Sequence, residues 1–157
     1  MLLEGFGIES VLDLPSRDID ALKAHNLPIK HYMGGAFDRD EATKLQARFG
    51  GATRSFYPLD IRLDPLPKVD LIICWDHLSP LPPIEVESAL LQCKKSGSKF
   101  LMLSHYPAVE VNPEGESLIA RPINWKKAPY HLPEPIIALL QKEEGEYLAL
   151  WNIKDIK

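Results

Sequence analysis

Several acids and histidines stand just past short apolar runs: Asp13 after SVL, Asp60 after FYPL, Asp76 and His77 after LIICW, His105 after FLMLS. A histidine beside a carboxylate can serve as a general base near neutral pH, because imidazole titrates close to pH 6.5. Asp76, His77 and His105 are therefore the catalytic candidates. Their other reading is a polar rim without chemistry. A divalent metal would use the same residue types, but no short-range spacing such as HxxxH supports one, so none is expected. Residues 13–17 read DLPSR. Asp13 can hold a ligand or cap the loop that follows. Arg17 can bind an anion at the start of a helix, or pair with Asp13 or Asp38 and fill a pocket. Asp60 can face a ligand or serve as a turn residue.

The order of elements decides whether these groups meet. Ser10–Leu14 reads as a first strand, and Arg17–His25 as a helix with Ile19, Ala21 and Leu22 at helical spacing. Ile29–Phe37 is a second strand running into a glycine turn. Asp38 suits the N-cap of a helix over 39–49, which Gly50-Gly51 ends. Ala52–Leu59 is a third strand. Val69–Trp75 is apolar throughout, as expected of a central strand covered on both faces. A helix over Pro83–Lys95 and a fifth strand over Lys99–Ser104 follow. Residues 107–132 form a long loop, Pro135–Lys142 a short helix, and Glu146–Ile153 a last strand, placed antiparallel at the sheet edge. Strand–helix alternation predicts an α/β domain with a mostly parallel, doubly wound sheet. Ligands of such sheets bind beyond the carboxyl ends of the strands. All the candidates above fall there, and His77 and His105 are expected on neighbouring strands.

The chain has 157 residues and a formal net charge of −4, which suggests one domain and argues against nucleic-acid or anionic-membrane partners. Its apolar run LIICW is too short to cross a membrane. Cys74 and Cys93 have no CxxC neighbour and are expected as reduced thiols of a cytoplasmic protein. Trp125 and Tyr130 can form a lid or a packed loop. The apolar N-terminus MLLEGFGIE suggests surface that a second subunit covers, hence a homodimer.

Taken in order, these segments resemble the class I S-adenosylmethionine (SAM)-dependent methyltransferases over roughly residues 9–153. SVLDL resembles the family's first strand with its terminal acid. HYMGGAF resembles the segment written Y-x-G-x-acid, and FYPLDI the one that ends in an acid near the adenine. LPKVDLIICWDHLSPLP resembles a strand-four segment often written D-L-I-I-x-R-D-x-L-x-H-L. RPINWKKAPYHLPEP followed by YLALWNI resembles the closing segment of one branch. The resemblance implies a three-layer α/β/α, Rossmann-like sheet and SAM as cofactor. It implies Asp13, Pro15, Ser16, Arg17, Gly35, Asp60 and Asp76 as the residues lining its site.

The chain departs from the family at the chemistry. The family's first turn reads acid-x-G-x-G; here it is Asp13-Leu14-Pro15-Ser16-Arg17. Pro15 removes an N–H and Arg17 replaces a glycine. The ribose-binding acid falls on Ala36, the family's Arg-Asp becomes Trp75-Asp76, and its later His falls on Pro80. Two lost charge-assisted hydrogen bonds weaken binding by roughly 100- to 10,000-fold. The expectation is a methyltransferase framework with weakened or lost cofactor binding. The alternatives are a non-catalytic binding or assembly module, and another nucleotide-binding enzyme in which Arg17 contacts a phosphate.

Overall fold

The apolar runs become the strands of a single sheet. The computed structural model describes residues 2–16, 28–141 and 144–157. Within them the order is α1 (Leu2–Gly5), β1 (Ser10–Asp13), β2 (His31–Ala36), α2 (Arg39–Phe49), β3 (Arg54–Pro58), β4 (Leu71–Cys74), α3 (Pro83–Ser96), β5 (Phe100–His105), β6 (Ile137–Leu140) and β7 (Tyr147–Asn152). The helix expected over Arg17–His25, and Arg17 itself, lie outside the described residues.

The seven strands run in the order β3-β2-β1-β4-β5-β7-β6. β1 to β5 pair in parallel, with Asp13 opposite Gly34 and Ile73. β7 is antiparallel to both neighbours, opposing Phe100 with Asn152 and Ile137 with Leu150. The mostly parallel Rossmann-like sheet with an antiparallel last strand is thus observed, with two corrections. β7 lies inside the sheet, between β5 and β6. Residues 137–140 form edge strand β6 and not a helix. The run IIALL is too short for periodicity to separate helix from strand, and pairing with β7 supplies the backbone partners that decide it.

Alternation along the strands divides the core in two. On one face Val11, Tyr32, Phe56, Leu71, Met102 and Leu150 pack with Leu45 and Phe49 of α2. On the other Leu12, Ile72, Leu101, Leu103 and Trp151 pack with Val86, Ala89 and Cys93 of α3. Loop residues Ile123, Trp125 and Leu132 complete this second layer. The layer is therefore part helix and part loop.

Local chemistry fixes the helix ends at the site. Asp38 caps α2 by accepting from the Glu41 amide at 2.8 Å. Pro83 starts α3 at a position that needs no N–H, and Gly97 ends it at φ 72°. Both helices begin at the carboxyl ends of the preceding strands. The apolar N-terminus folds back on its own chain: Ile8 is buried and the Phe6 ring meets Phe100 at 5.5 Å. Part of the surface from which a second subunit was inferred is thus covered within the chain. Among the described residues no helix is long and apolar enough to cross a membrane.

Candidate functional site

At the end of β1 the side chains alternate between faces. Asp13 is buried on the α2 face, where Tyr32 Oη donates to its carboxylate at 2.7 Å. Ser16 Oγ stands 3.2 Å from the same phenol and donates to the Asp13 carbonyl at 3.3 Å. Burial and the Asp13 charge push the Tyr32 hydroxyl well above its ordinary range. Leu14 points to the other face and is fully buried. The turn's amides are used internally: Leu14 N–H donates to Ile73 O at 2.9 Å and Ser16 N–H to Gly35 O at 3.2 Å. Pro15, between them, has none.

The glycines opposite make room for this turn. A Cβ on Gly34 would stand 2.2 Å from Ser16 Oγ and 2.4 Å from the Phe56 ring. A Cβ on Gly35 would stand 2.0 Å from Leu14 Cδ2. The resemblance implies Gly35 at the cofactor site; here the space beside Gly34 and Gly35 is taken by Leu14, Ser16 and Phe56. Ala36, where the ribose acid would stand, is buried.

Asp60 follows β3. Arg62 grips both its oxygens, at 2.9 and 2.8 Å, and reaches Glu85 at 3.0 Å on the first turn of α3. The Arg62 hydrogen bonds hold the Asp60 carboxyl below its usual range. Asp60 is thus committed to its own chain. Arg62 was missed in the sequence, although an acid and an arginine two residues apart at a strand end are the available signal. His77 rests against Phe37 at 5.4 Å between ring centroids and lies within the field of Asp60. Asp76 adopts φ 52° and accepts from Ser104 Oγ at 2.8 Å.

His105 is on the opposite face from Ser104, under the loop. The Trp125 amide donates to its Nδ1 at 3.4 Å, and its ring meets Trp151 edge-on at 5.6 Å. The three catalytic candidates therefore divide: Asp76 with Ser104, His77 with Phe37, His105 under Trp125. Trp125 is buried and its Nε1 donates to Ser104 O at 2.7 Å, so the loop is packed and is not an open lid. Asn112 and Asn124 fasten it through backbone groups at 107, 109, 124 and 128.

Burial, reinforced by the nearby Lys126 charge and only partly offset by Glu134, lowers the His105 pKa to about 4. An unfolded histidine titrates near 6.5, so between these values the unfolded chain binds more protons. Stability should be flat above about pH 6.5 and fall by at most about 3 kcal/mol down to pH 4. Urea unfolding at several pH values checks this. His105→Gln should remove most of that slope, and an unchanged slope would place its source elsewhere.

A second rim residue, after Arg62, escaped the sequence reading. Glu146 is fully buried just before β7, and Trp75 Nε1 donates to it at 3.2 Å. Because β7 is antiparallel, its start lies at the rim where the parallel strands end. Burial, Glu146 and Asp76 together push the Tyr106 hydroxyl up to about 12. Among the described residues no group of three His, Cys, Asp or Glu side chains could hold a metal ion. Cys74 and Cys93 are both buried free thiols. A cavity of about 180 Å³ opens at the other end of the sheet, where β2 and β3 begin, beside His31, Thr53 and Arg54.

No protein-family model and no curated protein sequence matches the chain. Solved structures do. Human N-acetylserotonin methyltransferase, in complex with SAM, superposes on 71% of this chain and 38% of its own at TM-score 0.54 and 17% identity. A SAM-dependent methyltransferase from Mesorhizobium loti superposes on 64% and 48% at TM-score 0.50 and 13% identity. The chain has the class I methyltransferase fold. The N-terminal domain of EvdMO1, with SAH bound, shares this methyltransferase-like framework over 96% of the chain and 77% of its own, at TM-score 0.61 and 15% identity. The chain spans less than half the length of several structures it matches, 46% of one archaeal example.

Proposed function

We propose that this chain is a non-catalytic relative of the class I methyltransferases, a binding module built on their fold with the cofactor pocket filled by its own side chains. One observation carries the reading: Leu14 packs into the volume beside Gly35 that a Cβ there would share at 2.0 Å. Three further features support it. The Leu14 and Ser16 amides are spent on sheet carbonyls. Asp60 is held by Arg62. Ala36 offers no acceptor to a ribose. Asp13, Pro15, Ser16, Gly35, Asp60 and Asp76 do gather on one rim, but they do not fit a nucleoside cofactor laid along the first turn.

Calorimetry or thermal-shift titration with SAM and with SAH tests this. A ligand present at 100 times its dissociation constant would add about 2.7 kcal/mol of stability. The expected result is no shift and no heat of binding at millimolar ligand. Saturable one-site binding in the micromolar range would overturn the reading and restore an active methyltransferase as the function.

A further inference from the structure

The carboxyl rim carries exposed apolar side chains on rigid supports. Leu118 is completely exposed, and Ile119, Leu63, Ile84 and Phe37 are each more than 60% exposed. They form one arc. Phe37 leans on His77, and Asp60 is close enough to His77 to feel its charge. The Asp60–Arg62–Glu85 chain ties the segment of Leu63 to that of Ile84. The Ser117 amide donates to Pro80 O at 2.8 Å, four residues before Ile84. The loop bearing Leu118 and Ile119 is held, not slack. Arg121 spends its guanidinium on the carbonyls of Ser79, Glu114 and Gly115, at 2.8 to 3.1 Å. A loop pinned this way holds two large aliphatic side chains in water at fixed positions, apolar surface that a partner would bury on binding.

The charge around the arc says what kind of partner fits. Residues 37–41, 60–66, 76–87 and 106–121 hold eleven acids and three arginines, so these segments carry −8 although the whole chain carries −4. The remainder is net positive. Two copies of so acidic a surface repel one another, and nucleic acid and anionic lipid are repelled as well. A polypeptide with apolar anchors flanked by Lys or Arg is attracted, and it matches both features at once.

We infer that the rim of Phe37, Leu63, Ile84, Leu118 and Ile119 is the docking surface for a basic amphipathic segment of a partner protein. This rests on the reading of the chain as a binding module and names the partner chemistry of that module. The surface comes from five exposed side chains and the acids around them, and none of these fills the pocket at Leu14.

Two synthetic amphipathic helical peptides with identical leucine positions test it, one bearing lysine and the other glutamate at the polar positions. Each is titrated into the full-length, nitrogen-15-labelled chain and followed by NMR. The lysine peptide should shift the amides of 37, 63, 84, 118 and 119, and its affinity should fall as salt is raised. The glutamate peptide should bind at least about tenfold more weakly. Leu118→Ser with Ile119→Ser should weaken the lysine peptide by at least about tenfold at unchanged melting temperature. Equal binding of both peptides, shifts confined to other surfaces, or indifference to the double substitution would overturn the inference. So would concentration-dependent dimerisation, by sedimentation, that the double substitution abolishes. If SAM bound while the lysine peptide still mapped to the rim, the non-catalytic reading would fail and the docking surface would stand.

Discussion

Gly35→Ala is expected to destabilise the protein by about 2–3 kcal/mol, the range of an overpacked core. The new methyl would meet Leu14 Cδ2 at 2.0 Å, with Leu59 Cβ and Leu14 Cγ at 3.4 Å. Leu14 is fully buried and cannot swing into solvent. Leu14→Ala alone leaves a cavity and should cost about 2–5 kcal/mol. The informative quantity is their coupling. In the double variant the methyl added at position 35 enters space that the leucine side chain has vacated, so the two losses should fall short of their sum by about 1–3 kcal/mol. Urea denaturation of the four proteins measures this. Strict additivity would mean that Leu14 does not occupy the Gly35 side of the pocket.

Trp125→Ala should be the most damaging single change, at about 3–5 kcal/mol, a large part of the 5–15 kcal/mol that holds a typical domain folded. Trp125 fills the layer over β5, donates from Nε1 to Ser104 O at 2.7 Å, and packs its ring, tilted, 4.7 Å from that of Tyr130. Its amide also meets His105. Truncation empties the ring volume and leaves the Ser104 carbonyl without that donor. Hydrogen exchange should show residues 124–132 losing protection before the rest of the sheet. If the variant kept wild-type stability, the loop would not be part of the core. Leu118→Ser, in the same loop, should change stability little because Leu118 touches water on all sides.

The sheet was legible because its strands are short apolar runs separated by turn residues. LIIC sits buried at the centre of the sheet as its unbroken hydrophobicity requires. Asp38 was legible as a cap because its side chain acts on a backbone amide three residues away. The β6 segment was not, because its conformation is set by pairing with β7, a contact absent from local sequence. Asp13, Asp60, Asp76, His77 and His105 were correctly gathered at the strand ends, since topology alone puts them there. Their partners were out of reach. That Arg62 takes Asp60, that Tyr32 takes Asp13 and that Trp125 covers His105 depends on which face each side chain points to. Glu146 was missed although an antiparallel last strand was expected to begin at that rim; its burial and its contact with Trp75 depend on packing that local sequence does not show.

The altered turn was legible as a loss of glycines and of one amide. What filled the space was not. Gly35 was expected at the cofactor site, and the fold places the Leu14 side chain beside it, with Ser16 and Phe56 beside Gly34. These side chains belong to β3 and to the turn after β1, the two strands that flank β2, so local sequence does not show the contact.

The decisive measurement is a crystal structure of the unmodified chain grown or soaked in millimolar SAH. The account predicts no ligand density along residues 13–16, with Leu14 still seated beside Gly35. Continuous density for SAH over that turn, with the Leu14 side chain rotated out of its place, would contradict it.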